Sequence, residues 1–346
     1  MALFSAGGII SQLSGIGKGH VREFSRAGTH SLPRGDGMVR RAVWAALMMA
    51  GTVIGAGFAS GREIAAFFSR YGAWSWAGVA AAVLLMGLLA PRIMSGKAAS
   101  GGKWLWLLPG VTAGAMACAS GELLALLLPL PWQGGYAGGM AVSCLLGWGI
   151  ARSRMGLGGV SLVMSMALLI VMVMALALPP LPGTYIAGEV QPAAAMLRAA
   201  AYAGFNLTLA APLLKKAGKG LSRKHQWLAA WLGAGLLAAL LTAGNGLMLQ
   251  NPVLMDSPLP LVNRMRSLGQ AGFFAVSGVM YLAVLTTLAS CMAALRQDGR
   301  RWVWIAPAVS ALGGFSSAVD RGYPLLGVVG LISLIWPGTG GAKSGK

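Results

Sequence analysis

The chain has 346 residues, 56% hydrophobic and only 10% charged, with a mean hydropathy of +0.70 and a formal net charge of +19. Soluble domains carry about a quarter charged residues, so this composition excludes a soluble enzyme or binding module and points to an all-α polytopic membrane protein. The charge does not point to nucleic acid, because its distribution follows the topology of apolar spans.

Residues 1–41 form a basic segment rich in Gly, Ser and Arg. We expect it to be cytoplasmic, either as a disordered or amphipathic tail or as sequence upstream of a true start at Met38. It has no apolar core ending in a small-residue cleavage site, as a secretory signal would. About ten apolar spans follow: 42–68, 74–94, 104–130, 135–151, 156–179, 190–214, 226–249, 268–295, 302–319 and 322–337. Placing both termini inside puts 21 of the 27 Lys and Arg residues on the cytoplasmic side, the asymmetry of the positive-inside rule. Trp104, Trp106, Trp227, Trp231, Trp302 and Trp304 stand at the cytoplasmic span ends, where an aromatic belt belongs. The halves are 42–179 and 190–337, with a cytoplasmic tail at 338–346. Cys118, Cys144 and Cys291 lie in apolar spans as small core residues, and the three histidines have no metal-ligand spacing.

Span 1 contains Gly51-Thr-Val-Ile-Gly-Ala-Gly-Phe-Ala-Ser-Gly-Arg-Glu-Ile64, four glycines in eleven residues followed by an Arg-Glu pair. Glycine weakens a helix, and backbone freed in lipid costs several kcal/mol unless protein or water satisfies it. A broken helix is tolerated where it lines a cavity, which is how transporters build their sites. Span 6 repeats the pattern weakly in Tyr202-Ala-Gly-Phe-Asn206 with Thr208. Two interrupted segments five spans apart predict an inverted 5+5 repeat with broken helices 1 and 6; the alternative is close helix packing through small residues.

The span 1 motif, with Phe67-Phe68 and Tyr71-Gly72, resembles the opening signature of the YkvI-type bacterial membrane proteins, and Tyr202–Asn206 and Leu285-Thr-Thr287 resemble it more weakly. That family looks like a branch of the amino acid–polyamine–organocation superfamily. The resemblance spans about residues 40–337 and implies the LeuT-like fold and a bacterial cytoplasmic membrane.

Several residues are candidates for chemistry. The backbone of Gly55, Ala56, Gly57, Phe58, Ser60 and Gly61 would meet the substrate. Ser60-Gly-Arg-Glu63 reads as a capping box starting a half-helix, whose positive N-terminus suits a substrate carboxylate. In span 6, Tyr202, Phe205 and Asn206 offer aromatic faces and an amide. By resemblance to sodium-coupled LeuT-like proteins, the hydroxyls of Thr286 and Thr287 with carbonyls near Val53, Ile54 and Gly55 would hold a sodium ion; the plainer alternative is hydroxyls bonded to their own i−4 carbonyls. Glu122 and Glu63 are acidic residues inside spans, where a charge costs about 3 kcal/mol or more. Each would carry a proton, act as a counter-ion, or pair with Arg62 or Arg198. Asp256, Arg264 and Arg266 read as a solvated outer loop, and Asp320-Arg321 as a short outer turn.

Together these features predict a secondary transporter of an amino acid, related zwitterion or amine, working by alternating access and coupled to sodium or protons. No phosphate-binding motif, nucleophile–base pair or metal cluster appears, so no enzyme, no organic cofactor and no metal beyond sodium is expected. The partners are a small-molecule substrate and the lipid bilayer. The alternative is a ligand-sensing or channel-like protein on the same fold, like a germinant-receptor membrane subunit.

Overall fold

The computed structural model describes residues 34–97, 106–152, 157–182, 191–299 and 304–336. The expectations for residues 1–33, for the tail at 338–346 and for Trp104 and Trp302 lie outside the described residues. The chain divides into two compact units, 1–41 and 42–346, and the second carries every feature discussed below.

The described residues fold into helices. In chain order these are α1 (Arg34–Val53), α2 (Ala56–Ser60), α3 (Arg62–Phe67), α4 (Trp74–Met94), α5 (Leu107–Leu127), α6 (Trp132–Arg152) and α7 (Leu157–Ala177). Then come α8 (Pro192–Gly218), α9 (Arg223–Gln250), α10 (Pro260–Met265), α11 (Gly269–Asp298), α12 (Ile305–Gly313), α13 (Phe315–Ser317) and α14 (Tyr323–Ile335). Among the described residues, five stretches are long and apolar enough to cross a bilayer: Trp74–Met94, Leu107–Leu127, Arg223–Gln250, Pro260–Arg296 and Phe315–Ile335. At 1.5 Å rise per residue, a 21-residue helix such as α4 spans about 30 Å, the thickness of the hydrocarbon core. Leu145, Ile170, Leu312 and Leu325 point outward and are exposed. Apolar residues thus cover the outer as well as the inner faces, as lipid requires. The chain is a helical, multi-pass membrane protein.

Where apolar surface faces both ways, hydrophobicity does not hold one helix to another, and close approach through small residues takes over. At the centre, α8 packs between α14 and α4. A Cβ on Gly204 would meet the Gly327 carbonyl oxygen at 2.1 Å, and one on Gly327 would meet that of Ala201 at 2.0 Å. Gly218 lies as tightly on Met94, 2.4 Å from its carbonyl by the same measure, and Gly114 on Pro307.

Three sequence expectations change here. First, span 6 is not broken: α8 runs unbroken for 27 residues through Tyr202–Asn206. Asn206 Nδ2 donates to Tyr202 O at 3.1 Å and Thr208 Oγ1 to Gly204 O at 2.6 Å. These polar side chains bond back onto their own helix, and Gly204 serves packing. The expected pair of broken helices is therefore a single broken one, and the 5+5 repeat loses its strongest internal support. Second, the division between spans 9 and 10 falls at Gly314 (φ +77°), not at Asp320. Residues Ala318–Gly322 form a π-helical turn that joins α13 to α14. Asp320 thus sits within a helical run instead of on a loop. The described part of span 9 is then the nine residues of α12, about 13 Å, too short to cross by itself. Third, Arg264 is buried at 1% exposure and donates to Pro179 O at 2.7 Å, so it is not a solvated loop residue. Arg266 packs its guanidinium over the Phe273 ring at 5.0 Å.

Candidate functional site

Span 1 breaks twice. α1 ends at Val53, and Gly55 is extended (φ −84°, ψ −176°) before the five-residue α2. Gly61, at φ +81°, then turns the chain into α3. That left-handed conformation is the one glycine adopts at little cost. Ser60 supports this second turn: its hydroxyl donates to Gly57 O at 2.7 Å and accepts from the Arg62 amide at 3.0 Å. The capping box expected from Ser60 and Glu63 does not form. Ser60 holds the residue two positions on, and the Glu63 side chain turns back over Gly57 instead. A Cβ on Gly57 would fall 1.8 Å from Glu63 Oε1, so glycine at 57 makes the room in which the carboxylate lies.

This double break borders a cavity of about 360 Å³. Val53, Ile54, Gly55, Gly57 and Glu63 line it from the broken helix, Phe205 and Asn206 from α8, and Thr286, Thr287 and Ser290 from α11. Nine of the sequence-predicted residues therefore meet at one place. Phe58, Ser60, Gly61 and Tyr202 do not line the cavity. Phe58 is core, Ser60 and Gly61 shape the turn, and Tyr202 packs edge-on against Phe67 and Phe68 at 5.3 and 4.9 Å. The side chain of Ala56 lies outside the described residues. Glu122 is half-buried on α5 and is not part of the lining, and no ion pair joins it to Arg62 or Arg198.

Two wall residues escaped the sequence reading. Thr112 on α5 and Tyr323 on α14 line the cavity. Their hydroxyls approach each other but lie outside hydrogen-bonding geometry, so each is buried without a partner. Their only signal was a hydroxyl inside an apolar span, which is too common to single out. Tyr323 stacks on Phe205 with ring centroids 4.3 Å apart, making an aromatic wall. Thr286 and Thr287 both donate to Ala283 O, at 3.0 and 2.9 Å, the plainer of the two roles expected of them. Each oxygen keeps lone pairs, and Thr287 Oγ1 faces Gly55 across a gap that a Cβ there would span to 4.0 Å.

The two ends of the cavity differ. Towards one end its lining reaches Leu213 and Ala294, each two residues short of a basic residue, Lys215 or Arg296. At 1.5 Å per residue, the cavity comes within a single turn of the basic helix ends. At the other end, three residues before Tyr323, stands Asp320. Arg62 grips it bidentately, Nε to Oδ1 at 3.1 Å and an NH2 group to Oδ2 at 2.5 Å, while its remaining NH1 group donates to the carbonyls of Met255 and Ser257. Arg70 bonds the same Oδ2 at 3.2 Å and Asp256 Oδ1 at 3.0 Å, and Arg198 donates to Asp320 O at 2.7 Å. The Asp320 carboxylate thus ties α3 and the turn after it to the π-turn, its backbone carbonyl holds α8, and Arg62 and Arg70 reach on to the 255–257 loop. Paired, bidentate charges of this kind are directional and strong. Asp256 is exposed, as its loop position implies, whereas Asp320 is not in a solvated turn, its partner Arg62 lying 258 residues away in sequence.

No known family model matches the chain, and no curated protein matches it in sequence. Among solved structures, the crystal structure of the Eremococcus coleocola manganese transporter, in complex with an aromatic bis-isothiourea substituted compound, is similar at 13% identity and a TM-score of 0.38. The match covers 89% of this chain and 73% of that one.

Proposed function

We propose that this protein is a secondary active transporter of a small organic solute, an amino acid, zwitterion or amine, that works by alternating access driven by sodium or protons. The observation that carries this reading is one cavity at a doubly broken helix, with an ion-pair network beside its Glu63 and Tyr323 lining and basic helix ends beside its Leu213 and Ala294 lining. With the basic ends in the cytoplasm of a bacterial cell, following the positive-inside rule, this is an inward-facing conformation. Transport then needs the Arg62–Asp320–Arg70 cluster to open while the basic ends close. The resemblance to the YkvI-type and LeuT-like proteins supports a moving broken helix, although α8 departs from it in being unbroken. Thr286, Thr287 and the backbone of Val53–Gly55 supply oxygens for a sodium ion, and Glu63 supplies a carboxylate for a proton or a cation. The backbone and side chains around the break, with Phe205 and Asn206, meet the solute.

The unbroken α8 also favours a second reading, a ligand-sensing membrane protein in which the cavity binds without turnover. Radiolabelled uptake into proteoliposomes, with an amine and amino acid panel and imposed sodium or pH gradients, separates the two. Gradient-driven accumulation establishes the transporter. Ligand-induced thermal stabilisation with no accumulation under any gradient establishes the sensor.

A further inference from the structure

Among the described residues, Glu63 is the one acidic residue lining the cavity, and no described Lys, Arg or His lines it. It is 5% exposed, and among the described residues its carboxylate makes no hydrogen bond or ion pair. Its neighbour Arg62 is turned away and committed to Asp320. The ionisable groups near Glu63 from the packed elements are phenols, Tyr202 on α8 and Tyr323 on α14, and the thiol of Cys291 on α11 lines the same cavity. Arg70 and Arg198 are held on Asp320. The hydroxyls of Tyr202 and Tyr323 near the carboxylate, and of Thr112 in the cavity wall, have no partner. The rest of the wall is apolar or aromatic: Ile54, Met116, Leu168, Phe205 and Leu209.

A buried carboxyl without a counter-charge is neutralised, by a proton or by a cation. A volume of about 360 Å³ with apolar walls suits an organic body far larger than a metal ion. Among the described residues no three His, Cys, Asp or Glu side chains gather as a metal site. A substrate carboxylate placed at the helix break would meet the Glu63 carboxylate lying over Gly57, and like charges at such range repel strongly in a dry site. We propose that the cavity takes an organic ammonium ion lacking a carboxylate, and that the ammonium and a proton occupy Glu63 in turn. The binding step balances as Glu63–COOH plus R–NH3⁺ giving the Glu63 carboxylate paired with R–NH3⁺ plus one H⁺, which passes to solvent. Because neither form leaves the carboxylate bare, the reorientation between the two faces carries either a proton or an ammonium, and net movement is an exchange. This inference rests on the transporter reading for its exchange step only; the site itself requires no turnover.

The test uses the purified full chain and two probe pairs that differ by one carboxylate, phenethylamine against phenylalanine and isoamylamine against leucine. Calorimetric titration in buffers of different ionisation enthalpy reports the protons released. We expect an amine to bind at least about tenfold more tightly than its amino acid, as loss of a charge-assisted contact and gain of a repulsion dictate, with one proton released. Glu63→Gln should weaken amine binding at least about tenfold and abolish proton release, with an unchanged unfolding temperature as the control. Glu63→Asp should restore part of both. Equal binding of amine and amino acid, binding without proton release, or no binding of either amine overturns the assignment. Counterflow in amine-loaded proteoliposomes separates this proposal from the transporter reading. Proton-releasing binding without counterflow keeps the ammonium site and sinks transport, whereas amino acid counterflow without amine counterflow does the reverse.

Discussion

The tripeptide Ala-Gly-Phe occurs at residues 56–58, 203–205 and 271–273, and the copies in spans 1 and 6 have opposite fates. In span 1 it sits on a five-residue helix between an extended Gly55 and a left-handed Gly61. In α8 it is the middle of an unbroken 27-residue helix. The tripeptide is thus not what breaks a helix. Flanking glycines do that, and α8 has none within a turn of Gly204. What each central glycine meets also differs. Gly57 receives a side chain from its own segment, the Glu63 carboxylate, while Gly204 receives the Gly327 backbone from another helix. A flexible side chain can move aside; a packed backbone cannot.

That difference is sharpest under substitution. Gly204→Leu should give the largest effect, loss of folded protein in membranes, because its Cβ alone would lie 2.1 Å from a backbone oxygen and overpacking of even a few atoms costs about 1–3 kcal/mol. A folded, monodisperse Gly204→Leu in detergent would show that α8 and α14 do not pack as described. Next comes Asp320→Asn. Removing one partner of a buried pair costs about 3–5 kcal/mol, and here it frees Arg62, 4% exposed. On the proposed transport cycle this opens the cavity on the side of the network, so Cys291, which lines the cavity, should gain labelling by an impermeant thiol reagent added outside, localised by mass spectrometry. Unchanged labelling would remove the network as a seal. Gly57→Ala should leave the unfolding temperature near that of the native chain but displace the Glu63 carboxylate, with at least about tenfold weaker ligand binding; native binding in this variant would mean that the carboxylate has no role where it lies. The smallest effect belongs to Thr287→Val. Its hydroxyl already bonds Ala283 O, a helix-local bond worth about 1 kcal/mol or less. Stability should hardly change, and if sodium is the coupling ion, the sodium dependence of uptake should fall steeply. A sodium-independent native protein would assign no ion to this threonine.

The sequence read by itself determined the membrane character, the places of five spans, the break in span 1 and nine residues of the cavity wall. These follow from composition, from the length a bilayer demands and from the cost of free backbone in lipid, all local quantities. The residues around Val53–Gly57, Phe205–Asn206 and Thr286–Thr287 were legible as a site because glycines cluster with an Arg-Glu pair in span 1 and because the three segments together resemble a family signature. Only the tertiary structure decided that α8 stays whole, that Gly204 is a packing residue and that Glu63 turns over Gly57 instead of capping. It alone also showed that Asp320 joins Arg62 across 258 residues of chain, and that Thr112 and Tyr323 face the cavity unpartnered. The reason is physical. A glycine announces that something comes close or that the backbone turns, but which of the two happens depends on the neighbour brought there by the fold. A charge announces that it needs a partner, but not which of the distant ones it meets.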